Sequence, residues 1–456
     1  MLITYRQRQR EVDDLVEAYA GQRLGRRTFL RSAMATGLSL GAATNLLVAC
    51  GDSSTPPTSI DVLNVWSDEE LNSFRAVVAP FTKQTGIVIN LESTRNLTVA
   101  LTIRQRGNDP PDLAVLPNPA QLRQMAGQQQ LFRLDAFLDM RKLRSDYGSA
   151  WLDLASYRGG FYALIPKAAN KGTIWYSPAH FKAQGYQVPT TWHDLLALST
   201  EIAASGQYPW SMGLSSEASS GWPAADWVAE IYLRQFGQDL YDQWVNHQIH
   251  WTHSSVRQAF QLFGQIVAGK HYVQSAPQSI LRTTYQNACY ALFARPPQAY
   301  MNYLGDFAIG FITSQYPHAQ PGSDFNFFQF PTLDTRYSGA VTVSADFVVA
   351  MRDNPAVHQF MQYLSSASAQ AIWVKRGGAI SLNKEVDLAD YPNDVARASA
   401  RMLLKAPTFR FGADDLMPFA VEHAFWQQIQ HFITDQSQLD TVLNTIEISA
   451  RLNYGT

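Results

Sequence analysis

Cysteine is nearly absent from this chain: Cys50 and Cys289 are the only two in 456 residues. Stability therefore has to come from a buried apolar core and not from a disulfide framework. Charge is sparse too, with Asp, Glu, Lys and Arg together at 16%, below the usual quarter. After the first fifty residues no apolar run reaches about 18 residues, so no later segment is expected to span a bilayer. Internal repeats are lacking, and a short tether near the N-terminus is the one low-complexity stretch.

Catalytic signatures are missing as well. The sequence holds no Gly-x-Ser-x-Gly elbow, no phosphate-binding loop and no dinucleotide fingerprint. The adjacent carboxylates Glu69-Glu70 and Asp414-Asp415 point differently from neighbouring backbone positions and cannot flank one glycosidic bond. His247, His250 and His253 recur every third residue. Such steps drift around a helix, Trp251 intervenes, and no Cys or carboxylate completes a ligand set, so no metal centre is expected. The chain is expected to be no enzyme and to need no cofactor.

What is present begins at the N-terminus. Gly25-Arg26-Arg27-Thr28-Phe29-Leu30-Arg31 sets paired arginines before Phe and Leu, and 18 uncharged residues, 32–49, follow. This is the pattern of a twin-arginine export signal with its apolar region. The stretch closes on Leu47-Val48-Ala49-Cys50, which resembles a bacterial lipobox, so residues 1–49 are expected to be removed and Cys50 to carry lipid. The competing reading is an uncleaved signal anchor that ends in Cys by chance. Residues 50–59, with Gly51-Asp-Ser-Ser-Thr-Pro-Pro-Thr-Ser59, read as a flexible tether. With Cys50 lipidated, Cys289 has no disulfide partner, which suits export of an already folded chain.

Removing residues 1–49 leaves 407 residues, enough for two lobes. That segment takes seven Arg and four acidic residues with it, leaving 29 basic and 34 acidic groups and a net charge of −5. No nucleic-acid partner is implied. Aromatics reach 12%, and all 11 Trp follow the signal.

Residues 60–66 form a short β-branched run, and residues 69–84 show helical spacing through Leu71, Phe74, Val78 and Phe81. A second strand over 87–91, a helix over 96–107 and a third strand over 112–116 complete a predicted βαβαβ unit. Such sheets hold ligands beyond the carboxyl ends of their strands, which places Trp66, Asp68 and Asn118 at a crevice wall. Asp68 could equally cap the helix after it, and Asn118 could serve the turn between two prolines. Further helices are predicted over 192–204, 227–236 and 355–364, a strand over 341–349, and a helical C-terminal third.

Several phrases together resemble the extracellular solute-binding proteins of family 1, the sugar receptors of bacterial ABC importers. They are Phe81-Thr-Lys-Gln-Thr-Gly-Ile-Val-Ile89, Gly107-Asn-Asp-Pro-Pro-Asp-Leu-Ala-Val115, Lys171-Gly-Thr-Ile-Trp-Tyr-Ser177, Pro189-Thr-Thr-Trp-His-Asp-Leu195, Ser220-Gly-Trp-Pro-Ala-Ala-Asp-Trp227, Gly377-Gly-Ala-Ile-Ser381 and Asp415-Leu-Met-Pro418. The later five are similar to the α-glucoside-binding branch, with Ser220 where that branch usually has Thr. The resemblance implies an α/β, two-lobed periplasmic-binding-protein fold of type II, closing on ligand about a hinge near residues 166–172. By the same analogy one lobe comprises 60–165 plus 305–365 and the other 166–304 plus 366–456.

A sugar offers an apolar C–H face and a rim of hydroxyls, so its receptor needs aromatic platforms beside carboxylate, amide and guanidinium groups. Trp222, between Gly221 and Pro223, is the candidate platform, with packing inside one lobe as the alternative. Asp226 is a candidate hydroxyl acceptor or a helix cap. Asp346 interrupts an apolar strand that in the family returns near the cleft, and Arg376 precedes Gly377-Gly378. Tyr176, Glu217 and Asp415 complete the candidates. The implied partners are a small sugar, ABC permease subunits and the membrane through Cys50, with the receptor monomeric and extracytoplasmic. The alternatives are a receptor for a polyamine or glycerol phosphate, and an anchored carbohydrate-active enzyme.

Overall fold

A computed structural model describes residues 59–454 apart from 270 and 275. The export signal, most of the tether and Cys50 lie outside the described residues. The predicted βαβαβ unit is present: β1 (Ser59–Asn64), a helix Asp68–Thr85, β2 (Val88–Ser93), a helix Leu97–Arg106 and β3 (Leu113–Leu116). The strands are parallel, with Ile60 opposite Ile89 and Val62 opposite Leu113, so β1 lies between the other two. The first helix stops at Gly86, whose left-handed φ of 76° lets its N–H reach back to the Thr82 carbonyl.

A small hairpin of β4 (Ser156–Tyr157) and β5 (Gly160–Phe161) leads into β6 (Ala163–Asn170). β6 is buried throughout, as a strand covered on both faces must be. Then β7 (Thr173–Tyr176) forms a second, antiparallel sheet with β8 (Met301–Tyr303) and β9 (Asn326–Gln329). The eleven-residue β10 (Ala340–Ala350) joins the regions. It pairs antiparallel with β3 and β6 and, at its start, parallel with β11 (Thr408–Phe411). A bulge between Asp346 and Val348 marks where it meets β6.

The helices expected over 192–204 and 355–364 run over those residues. Thr191 caps the first in a capping box with Asp194, so part of the Pro189–Leu195 phrase serves the helix start. The helix expected over 227–236 extends over Trp222–Val245 and kinks at Gly237. A side chain at Gly237 would run into the Tyr337 ring, so the kink needs glycine. β11 interrupts the C-terminal third that sequence periodicity read as helical.

Two hydrophobic cores mark the two lobes. One contains Ile60, Phe74, Val115, Phe347, Phe360 and Trp373, and the other Trp210, Trp227, Tyr232, Trp244, Phe260 and Phe425. Their membership departs from the expected boundaries. Ala369, Trp373, Tyr391, Leu403 and Phe411, assigned by analogy to the second lobe, belong to the first core, as do Tyr285 and Cys289. Trp373 packs edge-on to Trp66 with ring centroids 4.9 Å apart, which ties residues 367–376 to the start of the chain. Phe328, Phe330 and Ala340, expected in the first lobe, join the second core. Cys289 is free and buried. Among the described residues no helix is long and apolar enough to cross a membrane.

Candidate functional site

A cleft of about 750 Å³ is lined by residues packed on both cores. The carboxyl ends of β1 and β3 open into it through Trp66 and Asn118, as the switch-point argument requires. Its two walls are supplied with cations by the same stretch of chain. Lys167, on β6, and Lys171, just past its end, are both buried. They serve opposite walls.

On the first wall Lys167 Nζ donates to Glu70 Oε1 and lies 3.1 Å from Asp346 Oδ2. Trp66 Nε1 also donates to Asp346 Oδ2, at 2.7 Å. Arg95 lies 3.9 Å from Glu70 and donates to the Tyr285 hydroxyl and the Ser67 hydroxyl, both at 3.0 Å. Burial opposes both charges of the Lys167–Glu70 pair, but mutual attraction wins. Lys167 is held above its ordinary range by Asp346 and Glu70, and Glu70 below its own by Lys167 and Arg95. The wall carries two acids and two bases in one closed network.

The second wall is different. Lys171 Nζ donates to Asp226 Oδ1 at 2.7 Å and to Asp415 Oδ2 at 3.5 Å. Asp414 and Glu422 lie close behind. Burial pushes Asp226 up to about 7, against the pull of Lys171 and with help from Asp414. Asp415 and Glu422 are raised well above the carboxylate range, first by burial and then by the neighbouring acids. Asp414 Oδ2 accepts from Trp426 Nε1 at 2.7 Å, while its buried Oδ1 has no hydrogen-bond partner among the described residues. Glu422 Oε1 accepts from Asn118 Nδ2 at 3.2 Å, a bond that joins the two walls.

Aromatic rings form two further groups on the lining. Trp222 lies 5.1 Å from Tyr285 and 6.1 Å from Phe307, with Lys171 Nζ 5.4 Å from its ring centre. Phe419, His423 and Trp426 follow one face of the helix Phe419–Thr434, with His423 4.9 Å from Phe419 and 5.5 Å from Trp426. Gly221 sets the position of Trp222. Its φ of 113° and the Trp426 carbonyl 2.5 Å from where a Cβ would sit exclude any other residue.

Of the sequence-derived candidates, Trp66, Asn118, Trp222, Asp346 and Asp415 line the cleft. Asp226 stands behind the lining as the partner of Lys171. It lies inside the helix that Gly221 begins, so it is not the cap. Asn118 caps its helix, accepting from Gln121 N at 2.8 Å, while also lining the cleft. The remaining candidates lie elsewhere. Asp68 is exposed at the helix start, away from the lining, in a left-handed conformation. Tyr176 is buried in the second core against Phe181 and Phe328. Glu217 is exposed beside the lining residues Ser216 and Ala218. Arg376 borders a separate polar pocket of about 180 Å³, donating to the Ser73 hydroxyl at 3.0 Å.

Sequence reasoning missed Glu70, Arg95, Lys167, Tyr285 and Glu422. Lys167 was legible as a lone charge within the uncharged run 159–170, and Lys171 opens a family phrase. Arg95 and Glu422 reach the site only through tertiary packing.

Comparison with known proteins gives a consistent result. The family model for the bacterial extracellular solute-binding protein matches residues 67–371. The osmoprotective compounds-binding protein GgtB of Synechocystis sp. is 33% identical over 393 residues, which cover 86% of this chain and 92% of GgtB. The alpha-glucosides-binding periplasmic protein AglE of Rhizobium meliloti is 31% identical over 395 residues, covering 84% of this chain and 85% of AglE. Among solved structures, the solute receptor AcbH superimposes with a TM-score of 0.75 at 22% identity, covering 87% of this chain and 99% of AcbH. A chitin oligosaccharide binding protein also reaches 0.75, at 17% identity, covering 88% of this chain and all of its own. At those identities the structures speak for the two-lobed fold alone. The family match and the two curated relatives go further: this chain belongs to the bacterial extracellular solute-binding proteins.

Proposed function

We propose that this receptor captures a neutral oligosaccharide, of the α-glucoside class or close to it, by closing its two lobes, and delivers it to an ABC permease. The observation that carries this reading is the cleft itself. Two groups of aromatic rings face a space within the size range of small-molecule sites, and the charges of the first wall are spent on one another. A sugar's apolar face suits Trp222 and Trp426. Its hydroxyls can donate to Asp415 and accept from Asn118 and Lys171. The name of AglE, an alpha-glucosides-binding protein, agrees with a sugar of this class.

Closure follows from ligand bridging both walls, because the closed form gains contacts that the open form lacks. No bond need break. The receptor works as a monomer outside the cytoplasmic membrane, held there by lipid on Cys50; a Cys50→Ala chain is expected to appear in the medium or periplasm and to lose fatty-acid label.

A second reading is favoured by one observation, the excess of acid on the second wall, which together with the rings could suit a cation such as a polyamine. Thermal-shift measurements over maltose, trehalose, sucrose, spermidine and glycerol phosphate decide between them, since a specific ligand raises stability by mass action. A shift with an α-glucoside is expected, and product analysis of the same mixtures is expected to find the sugar intact. A shift with spermidine alone, or turnover of the sugar, overturns the proposal.

A further inference from the structure

At one edge of the cleft the fold completes a cluster that the sequence left incomplete. Glu447, buried on the C-terminal helix Leu439–Tyr454, lies against the turn that follows Val245. Its Oε2 is 3.1 Å from His247 Nε2, and its Oε1 is 2.8 Å from His250 Nδ1. One ligand atom from each of the three residues lies within 4.8 Å of the others. The third histidine of the series goes elsewhere: His253 caps the next helix, its Nδ1 accepting from Ser255 N.

We propose that His247, His250 and Glu447 form a transition-metal site, suited to Zn²⁺, that fastens the turn at 246–253 to the C-terminal helix. Two imidazoles and a carboxylate are an established zinc donor set, leaving a fourth position for water. The surroundings are those of a held ligand. Trp251 N donates to Glu447 Oε2 at 2.8 Å and Arg451 Nε to Oε1 at 2.7 Å, fixing the carboxylate's orientation as outer-shell donors do. Tyr454 stacks on the His247 ring at 5.2 Å. The backbone at His247 is left-handed, φ 53°, a conformation that costs a non-glycine residue about 1 kcal/mol or more and here turns both rings toward one carboxylate. His250, 64% exposed, provides the way in. Because Asn453 and Tyr454 on the same helix line the cleft, metal here would also stiffen one edge of it.

The test uses tag-free chain stripped with EDTA and titrated with ZnCl₂ by calorimetry at neutral pH. One ion per chain is expected, with a Kd in roughly the micromolar range or tighter. His250→Ala, at an exposed position, is expected to fold and to bind at least about tenfold more weakly. His253→Ala is expected to bind as the parent does. Zn²⁺ is also expected to raise the melting temperature of the parent and not of His250→Ala. Absence of binding in the parent overturns the site, as does unchanged affinity in His250→Ala or an equal loss in His253→Ala.

Discussion

The two walls of the cleft draw their lysines from one stretch of chain, four residues apart, and use them differently. Lys167 completes a network of two acids and two bases, Glu70 and Asp346 with Lys167 and Arg95. Lys171 is a single ammonium beside Asp226 and Asp415, with Asp414 and Glu422 next to them. The first wall is satisfied before any ligand arrives, so it acts as a rigid surface. The second holds more acceptor capacity than its one cation can fill, and the surplus is available to protons or to ligand hydroxyls. Charge balance, more than residue type, separates the two walls.

Removing each lysine is the severest way to break this contrast. Lys171→Met at pH 8 is expected to cost about 3–5 kcal/mol, because Asp226 and Asp415 lose the one cation that pairs with them among the described residues. The loss should shrink toward pH 5, where those carboxyls take up protons. Lys167→Met should cost less, about 2 kcal/mol, since Arg95 still faces Glu70 and Trp66 still donates to Asp346. Urea unfolding of both variants at the two pH values measures this. Equal losses, independent of pH, would mean that the walls are not distinct.

The parent's own pH profile gives the next largest effect. Asp226 rises from 3.8 unfolded to about 7 folded. Between those values the folded chain keeps a proton that the unfolded chain has shed, so this group's contribution to stability falls as pH rises, by up to about 1.4 kcal/mol per pH unit. Asp226→Asn should remove that slope between pH 5 and 7. Glu70, lowered from 4.5, has the opposite sign: its contribution is present above that value and is lost as pH falls. A parent profile that rises from pH 5 to 7 by the amount its variant loses would reverse the assignment.

Legibility from sequence followed the range of the interactions. β1 to β3, the helices at 192–204 and 355–364 and the strand β10 were readable because local periodicity and local caps specify them. Trp66 and Asn118 were readable because strand ends at a switch point face the crevice whatever their side chains. The lobe boundaries after residue 365 were not, since long-range packing such as that of Trp373 on Trp66 and Phe74 places that segment in the first core. Glu422 and Glu447 had no local mark either. Each lies on an amphipathic helix as one polar position among several, and its meaning comes from Asn118 and from His247, residues 304 and 200 positions away.

The finest test changes one acid to its amide on each wall. Glu70→Gln removes a charge that Lys167 and Arg95 both use, and is expected to cost about 2 kcal/mol at pH 7. Glu422→Gln should change stability by less than about 0.5 kcal/mol, because burial and the neighbouring acids push that carboxyl well above its ordinary range, which favours its neutral form, and the amide oxygen can still accept from Asn118. The two side chains are chemically identical and both line the same cleft. If both substitutions cost the same in urea titrations at pH 7, Glu422 is ionised in the folded protein, and the second wall must then hold a counter-charge beyond Lys171. A difference of more than 1 kcal/mol, in the stated direction, would mean that the protonation state of each wall is set by how many cations the chain delivers to it.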